Sequence, residues 1–370
     1  MEFGLTLEQR QFDDSLRAFL ADHLPMPRLR ALAESGTGYD ETLWGNLAEL
    51  GLHGLLVPER FGGAGLGVLD AALAAEALGN AAAPVPFPGS IVMSSLAFMN
   101  SATEAQQDEY LPGIAAGETR FAVALPGLAG QTGASSVRLS DGRLSGTISS
   151  VADAGAATHF LVYLPDGHAT VVAADAAGVS TRMHRSIDRT RPVVDVTFEA
   201  AAVERLDAAN APLAAARRVL DAGRVMLAAD TLGAAQHMFD AAVAFAKERV
   251  QFGRIIGSFQ GLKHTLAECV TVLEPCRGMV WYAAYAQDAL PDEARLTACH
   301  AKAHLGDVGR DIARLATEVH GGMGFTDLLG LHYWFKRISF NRQMLGGPER
   351  CREEAADLQG WTLSPPPLAR

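Results

Sequence analysis

The sequence predicts an α+β protein, mostly helical, in which a small antiparallel β region interrupts two helical ones. Apolar residues recur at helical spacing from residue 6 to about 120, short alternating or β-branched runs replace them between about 121 and 208, and helical spacing returns after Pro212. At 370 residues the chain exceeds the usual single-core size, so two or three cores are expected. The resulting division is an N-terminal helical domain, 1–120, a middle β domain, 121–208, a C-terminal helical domain, 209–360, and a disordered tail, 361–370.

Thr6 followed three residues later by Gln9 is a capping-box signature, and Phe12, Leu16, Phe19 and Leu20 continue at helical spacing. Residues 44–56 supply another apolar helix and a short hydrophobic exit. Pro58-Glu59-Arg60-Phe61-Gly62-Gly63-Ala64-Gly65 is a turn-rich break before an alanine-rich helix at about 68–78. Strand runs follow at 121–125, 136–139, 159–164, 170–173 and 193–198. Ser140-Asp141-Gly142-Arg143 and Leu164-Pro165-Asp166-Gly167 are hairpin-type turn signals between them. Pro365-Pro366-Pro367 cannot continue a helix.

A hydrophobic fraction of 49% indicates a folded, well-buried chain. The net charge of −11 argues against a nucleic-acid partner, which a basic face would serve. The four cysteines, Cys269, Cys276, Cys299 and Cys351, lack CxxC spacing and fit reduced thiols in a cytoplasmic protein. Acidic residues stand where a signal peptide would be basic, and no apolar run reaches the roughly 20 residues of a membrane span. No membrane association is expected.

The most specific string is Arg249-Val250-Gln251-Phe252-Gly253-Arg254-Ile255-Ile256-Gly257-Ser258-Phe259-Gln260-Gly261-Leu262-Lys263-His264. It resembles the R-x-Q-F-G-x-x-I-x-x-F-Q-x-x-K-H signature of acyl-CoA dehydrogenases, and the P-E-x-x-G-G-x-G break at 58–65 resembles the same family. The resemblance covers nearly the whole chain. It implies a C-terminal four-helix bundle, FAD as cofactor, an acyl-CoA thioester as substrate, and subunits paired so that flavin lies at an interface. Arg249, Gln251 and Phe252 then match residues that touch the pyrophosphate and adenosine of a neighbour's FAD, a task suited to a guanidinium's forked donors. Read alone, Arg249 is a solvated helix-end charge and Phe252 a core residue. Gln260, Lys263 and His264 belong to the same signature.

Glu318-Val319-His320-Gly321-Gly322-Met323-Gly324-Phe325-Thr326 resembles the family's Q-x-H-G-G-x-G-F-T loop, which completes the flavin-adenosine pocket with Glu318, Val319, Gly321 and Gly322. Consecutive glycines let backbone approach a phosphate, although GGxG also serves as a plain helix terminator. Glu318 departs from the family's glutamine and cannot donate an amide hydrogen bond. Asp221 and Arg224 match a D-x-x-R pair lying along the CoA arm. Being one helical turn apart, they also suit an ion pair on a solvated surface.

The family's base, a glutamate taking the α-proton, has two known positions. Here they fall on Leu345, counted from Lys336-Arg337, and on Gly223, and neither accepts a proton. The family's T-E-P-x-A-G-S-D loop and W-x-T/S strand, which hold the isoalloxazine ring, are replaced by Ala124-Leu125-Pro126-Gly127-Leu128-Ala129-Gly130-Gln131 and Ser150-Val151-Ala152. What is kept would reach a neighbour's flavin; what is lost would hold the chain's own. The expectation is an accessory subunit in an α2β2 hetero-oligomer with a homologous catalytic acyl-CoA dehydrogenase, as in enzymes acting on steroid side chains. A self-sufficient homo-oligomer with Asp230 as relocated base, and a non-catalytic CoA-thioester-binding or scaffolding protein, are the alternatives. An Asp on an alanine-rich helix more often partners an Arg or Lys. His300 and His304 share a helix face, but no third metal ligand accompanies them.

Overall fold

The first helix begins where the capping box places it. In the computed structural model, which describes residues 4–129 and 136–361, the Thr6 hydroxyl accepts from the Gln9 N–H at 3.2 Å and the Gln9 side-chain oxygen accepts from the Thr6 N–H at 3.1 Å. Two orphan donors of the first turn are thereby satisfied. The N-terminal helices are α1 (Leu7–His23), α2 (Met26–Ser35), α3 (Glu41–Glu49), α4 (Val68–Asn80), α5 (Ser94–Ser101) and α6 (Glu104–Ala115). A π-helical stretch, Pro88–Met93, leads into α5. The predicted tail lies almost wholly outside the described residues.

Eight strands follow: β1 (Phe121–Ala124), β2 (Ser136–Ser140), β3 (Arg143–Ala152), β4 (His159–Tyr163), β5 (Ala169–Ala173), β6 (Val179–Met183), β7 (Val193–Ala202) and β8 (Glu204–Leu206). They form two four-stranded sheets, ordered β1-β4-β5-β8 and β2-β3-β7-β6. The Asp141-Gly142 signal makes the β2–β3 hairpin, both residues having positive φ (51° and 70°), as a primed turn requires. The antiparallel expectation needs one correction: β1 pairs with β4 in parallel. After β1 the chain crosses to the other sheet and returns, so β4 meets β1 running the same way. The pattern also missed β3, β6 and β8. β3 is rich in Ser and Gly, β6 is largely solvent-facing, and β8 spans only three residues. Phe160 and Phe198, edge to face at 6.1 Å, help fill the space between the sheets.

The C-terminal part holds α7 (Pro212–Glu248), a hairpin of β9 (Val250–Gln251) and β10 (Arg254–Ile255), α8 (Gln260–Ala289), α9 (Pro291–Val319), α10 (His332–Gln343) and α11 (Pro348–Leu358). The long helices α7, α8 and α9 pack together, and the shorter α10 and α11 share the remaining side. The two helical regions share one apolar cluster, which includes Leu20, Trp44, Leu78, Leu232, Val280 and Leu305. The β sheets enclose a second cluster and Cys299 and Cys351 a small third, in line with the two or three cores that chain length suggested. No described helix is long and apolar enough to cross a membrane.

The join between the helical regions is α4 against α7, and two glycines set its distance. A Cβ on Gly233 would lie 1.8 Å from the Glu76 carbonyl oxygen, and one on Gly79 would lie 2.0 Å from that of Asp230. Backbone meets backbone at both points, so no side chain can move aside. Gly233→Ala should therefore destabilise the chain by about 1–3 kcal/mol in urea unfolding. An unchanged midpoint would show that the helices can separate without cost.

Candidate functional site

α7 stops at Arg249, whose extended ψ of 126° turns the chain out of the helix. The β9–β10 hairpin reverses at Phe252 and Gly253, with φ of 53° and 75°. Positive φ on a bulky aromatic residue is strained. Yet the Phe252 side chain is 91% exposed, meeting only the edge of Phe259 at 6.1 Å. It is not the core residue that it could have been. The Arg254 guanidinium lies 4.0 Å over the Phe259 ring and braces the hairpin. Gln260 then opens α8, exposed at its first position.

α9 ends at Val319, and a tight turn, Gly321–Phe325, follows with Gly321 at φ 60°. Its Phe325 is 77% exposed. The Phe245 ring of α7 packs 4.5 Å from the His320 ring after α9, so the two motif-bearing helix ends lie side by side. Arg249, Gln251, Phe252, Gln260, Glu318, Gly321 and Gly322 are all exposed there, with Val319 half-buried. Arg249 has no side-chain partner among the described residues. The result is a ridge of unused hydrogen-bonding groups and bare aromatic rings. Phe325 and Leu328 extend it, and only the structure identifies them as exposed.

The other half of the expected site is filled. Gly223 and Leu345 converge: a Cβ on Gly223 would lie 2.7 Å from Leu345 Cδ1 and 2.8 Å from Met93 Sδ. The cavity beside them, walled by Met93, Leu227, Phe340, Leu345 and the β3 segment at 149–152, holds about 40 Å³. Leu345 and Met93 stand there in place of a glutamate. An acid on that wall which the sequence did not single out, Asp153, is held by Arg191 through two bonds of 2.7 and 2.6 Å. Ser150 sits at an irregularity of β3 with φ 58° and donates its N–H to Asp195. Gly130 and Gln131 of the replaced loop lie outside the described residues.

Buried cations clamp the Leu345 loop. Arg224 Nε donates to the Leu345 carbonyl at 2.9 Å, and Lys302 Nζ donates to those of Arg342 and Gly346 at 3.0 and 3.1 Å. This corrects the expectation for Asp221 and Arg224. Neither lies on a solvated surface, since both are buried. Arg224 is fully buried and donates to both Glu354 oxygens, at 2.8 and 3.0 Å, and to Asp221 at 3.4 Å. Asp230 is corrected as a base as well. Its buried carboxylate accepts from Arg337 at 2.9 Å and Asn341 at 2.6 Å and does not border the Leu345 cavity. Glu354 and Asn341 carried no sequence signal, and Arg337 served only as a mark for counting to Leu345, because their roles arise only where distant helices meet.

Residues 212–357 match the acyl-CoA dehydrogenase C-terminal domain, and residues 6–118 match the acyl-CoA dehydrogenase N-terminal domain. A solved variant of the Tcur3481-Tcur3483 steroid ACAD aligns with a TM-score of 0.86 and 32% identity, over 95% of this chain and 98% of that one. The chain belongs to the acyl-CoA dehydrogenase family. Acyl-CoA dehydrogenase IpdE2 of Mycolicibacterium smegmatis is 27% identical over 353 residues, 95% of this chain and 99% of the relative. The ChsE4-ChsE5 complex from Mycobacterium tuberculosis shares the fold, with a TM-score of 0.87 at 24% identity over 98% of this chain and 100% of that one. Acyl-CoA dehydrogenases are flavoprotein oxidoreductases acting on a CH–CH bond, and FAD is the family's cofactor. When bound, it supplies the hydride acceptor. In this acyl-CoA dehydrogenase homologue the exposed ridge carries a guanidinium, amides and aromatic rings, groups of the kind that bind a nucleotide, whereas the Leu345 cavity has leucine and glycine at the family's two base positions.

Two variants test the buried groups. Asp230→Ala should cost about 3–5 kcal/mol, because Arg337 loses a buried partner; denaturant titration reads this directly. Burial pushes the Asp221 carboxyl up to about 7, against the pull of Arg224 and Arg295. The folded state therefore holds a proton that the unfolded chain has released, and this contribution to stability is lost as pH rises from about 4 to about 7. Asp221→Asn should flatten that part of the Tm–pH curve; an unaltered slope would place the titration elsewhere.

Proposed function

We propose that this chain is the accessory subunit of a hetero-oligomeric acyl-CoA dehydrogenase, pairing in an α2β2 assembly with a homologous catalytic chain whose FAD site it completes. One contrast carries the reading: an exposed, strained aromatic hairpin at one end of the bundle, and a leucine-filled pocket where the family keeps its base. Distance supports it. Gly223 lies within α7 and Arg249 caps its C-terminal end, roughly 39 Å apart at about 1.5 Å rise per residue. A single dinucleotide cannot touch both in one chain, which agrees with Arg249 serving a neighbour's flavin, as this reading requires.

In this reading Arg249 donates to the pyrophosphate of the partner's FAD. Gln251 and Gln260 hydrogen-bond nearby, Phe252 covers the adenosine, and Glu318, Val319, Gly321 and Gly322 close the pocket. Burying Phe252 on assembly contributes about 1.5–3 kcal/mol and removes its exposure. The thioester and its proton acceptor belong to the partner. The likeness to a steroid ACAD favours a CoA thioester of a steroid side chain over a fatty one. The buried free cysteines suit a reducing cytoplasm.

The chain alone, supplied with FAD, should retain little flavin and should not desaturate acyl-CoAs in the presence of an artificial electron acceptor. Turnover by the single chain would overturn the proposal. In the assembled complex, Arg249→Ala should weaken FAD retention tenfold to a hundredfold, equivalent to about 1.5–3 kcal/mol, without dissociating the subunits. Unchanged flavin content after dialysis would make Arg249 a helix-end charge only.

A further inference from the structure

The loop joining β6 to β7 sends neighbouring side chains in opposite directions. Asp188, Thr190 and Arg191 are buried. Asp188 accepts from the Thr190 N–H at 2.9 Å and hydroxyl at 2.6 Å, and Arg337 donates to Asp188 at 3.1 Å and to Thr190 at 2.8 Å. Arg185, Ile187 and Arg189 are exposed, Ile187 by 73%. The buried set fixes the loop from beneath, so the exposed set is held in place without contacts of its own.

Those exposed side chains border two adjoining cavities that share Glu34 and Arg189. One, of about 340 Å³, is lined by His184, Arg185 and Ser186; the other, of about 270 Å³, by His332, Tyr333 and Lys336. Arg185, Arg189 and Lys336 form no ion pair or side-chain hydrogen bond among the described residues. The acids nearby are occupied. Asp188 is held by Arg337, and Asp327 by Arg30 at 3.1 Å and His332 at 2.9 Å. Of the lining carboxylates only Glu34 has no partner, against three unmatched cations on a chain of net charge −11. Concavity of this size fits a small molecule rather than a flat protein surface. Cations spread over two adjoining cavities fit a ligand with linked anionic groups.

We infer that this double groove binds the diphosphate of a nucleotide, with Arg189 between Arg185 on one side and Lys336 on the other. Tyr333 and Ile187 offer apolar wall to the base. The groove shares no lining residue with the Leu345 cavity or the bundle-end ridge, and its existence does not depend on the accessory-subunit reading. The diphosphate could belong to a free nucleotide or to the nucleotide end of CoA.

Calorimetric titration of the full chain with ADP at low salt should give saturable one-to-one binding that weakens as salt rises. Arg185→Ala/Arg189→Ala should raise Kd at least tenfold with Tm unchanged, and Lys336→Gln, on a different element, severalfold. Arg249→Ala should leave ADP binding intact. Inorganic pyrophosphate should compete and adenosine should not. CoA, which carries the same diphosphate, should compete too; binding tighter than ADP would assign the groove to the thioester's nucleotide end, and binding weaker than ADP to a free nucleotide. No saturable ADP binding, binding that survives the double substitution, or binding lost in Arg249→Ala would overturn the inference.

Discussion

One buried guanidinium holds the three parts of this protein together. Arg337 on α10 donates to Asp230 on α7, to Asp188 and Thr190 in the β6–β7 loop, and to the carbonyls of Ala82 and Ala83 after α4. Desolvating a guanidinium is costly, and two carboxylates with several neutral acceptors offset that cost only in one arrangement of helix, loop and sheet. The orientation of the β region on the helices follows from it. So does the outward face of the loop, where Arg185 and Arg189 are left free.

A second clamp decides what the site can do. Arg224 and Lys302 grip the backbone on both sides of Leu345, whose own φ is 57°. Leu345 is pressed towards Gly223, so a side chain there would have to displace Leu345 or Met93. Replacing a base by leucine could have left an open, inert cleft. Here the loop is closed over the cavity and tied down by buried charge. An aromatic residue with positive φ, Phe252, is exposed towards the opposite end of α7, where association can cover it.

Local chemistry was legible in the sequence. Thr6 and Gln9 announced a cap, Asp141-Gly142 a hairpin, and the string from Arg249 to His264 a helix break with a function. Each depends on neighbours a few residues apart. What stayed hidden depends on which distant elements meet. Asp230 looked like a candidate base until Arg337, 107 residues away, supplied its partner, and Arg224 looked like a surface cation until Glu354, 130 residues away, enclosed it. The parallel pairing of β1 with β4 is hidden for the same reason: a detour through a second sheet leaves no mark on either strand. The missing glutamate was legible at Leu345 and Gly223, but not the filling of the space it left.

Flavin stoichiometry tests the account most directly. If this chain lends a ridge to its partner's cofactor and holds no ring of its own, the purified assembly should hold one FAD for every two chains, all of it lost when the partner is removed. One FAD per chain, with flavin retained by this subunit alone, would contradict it.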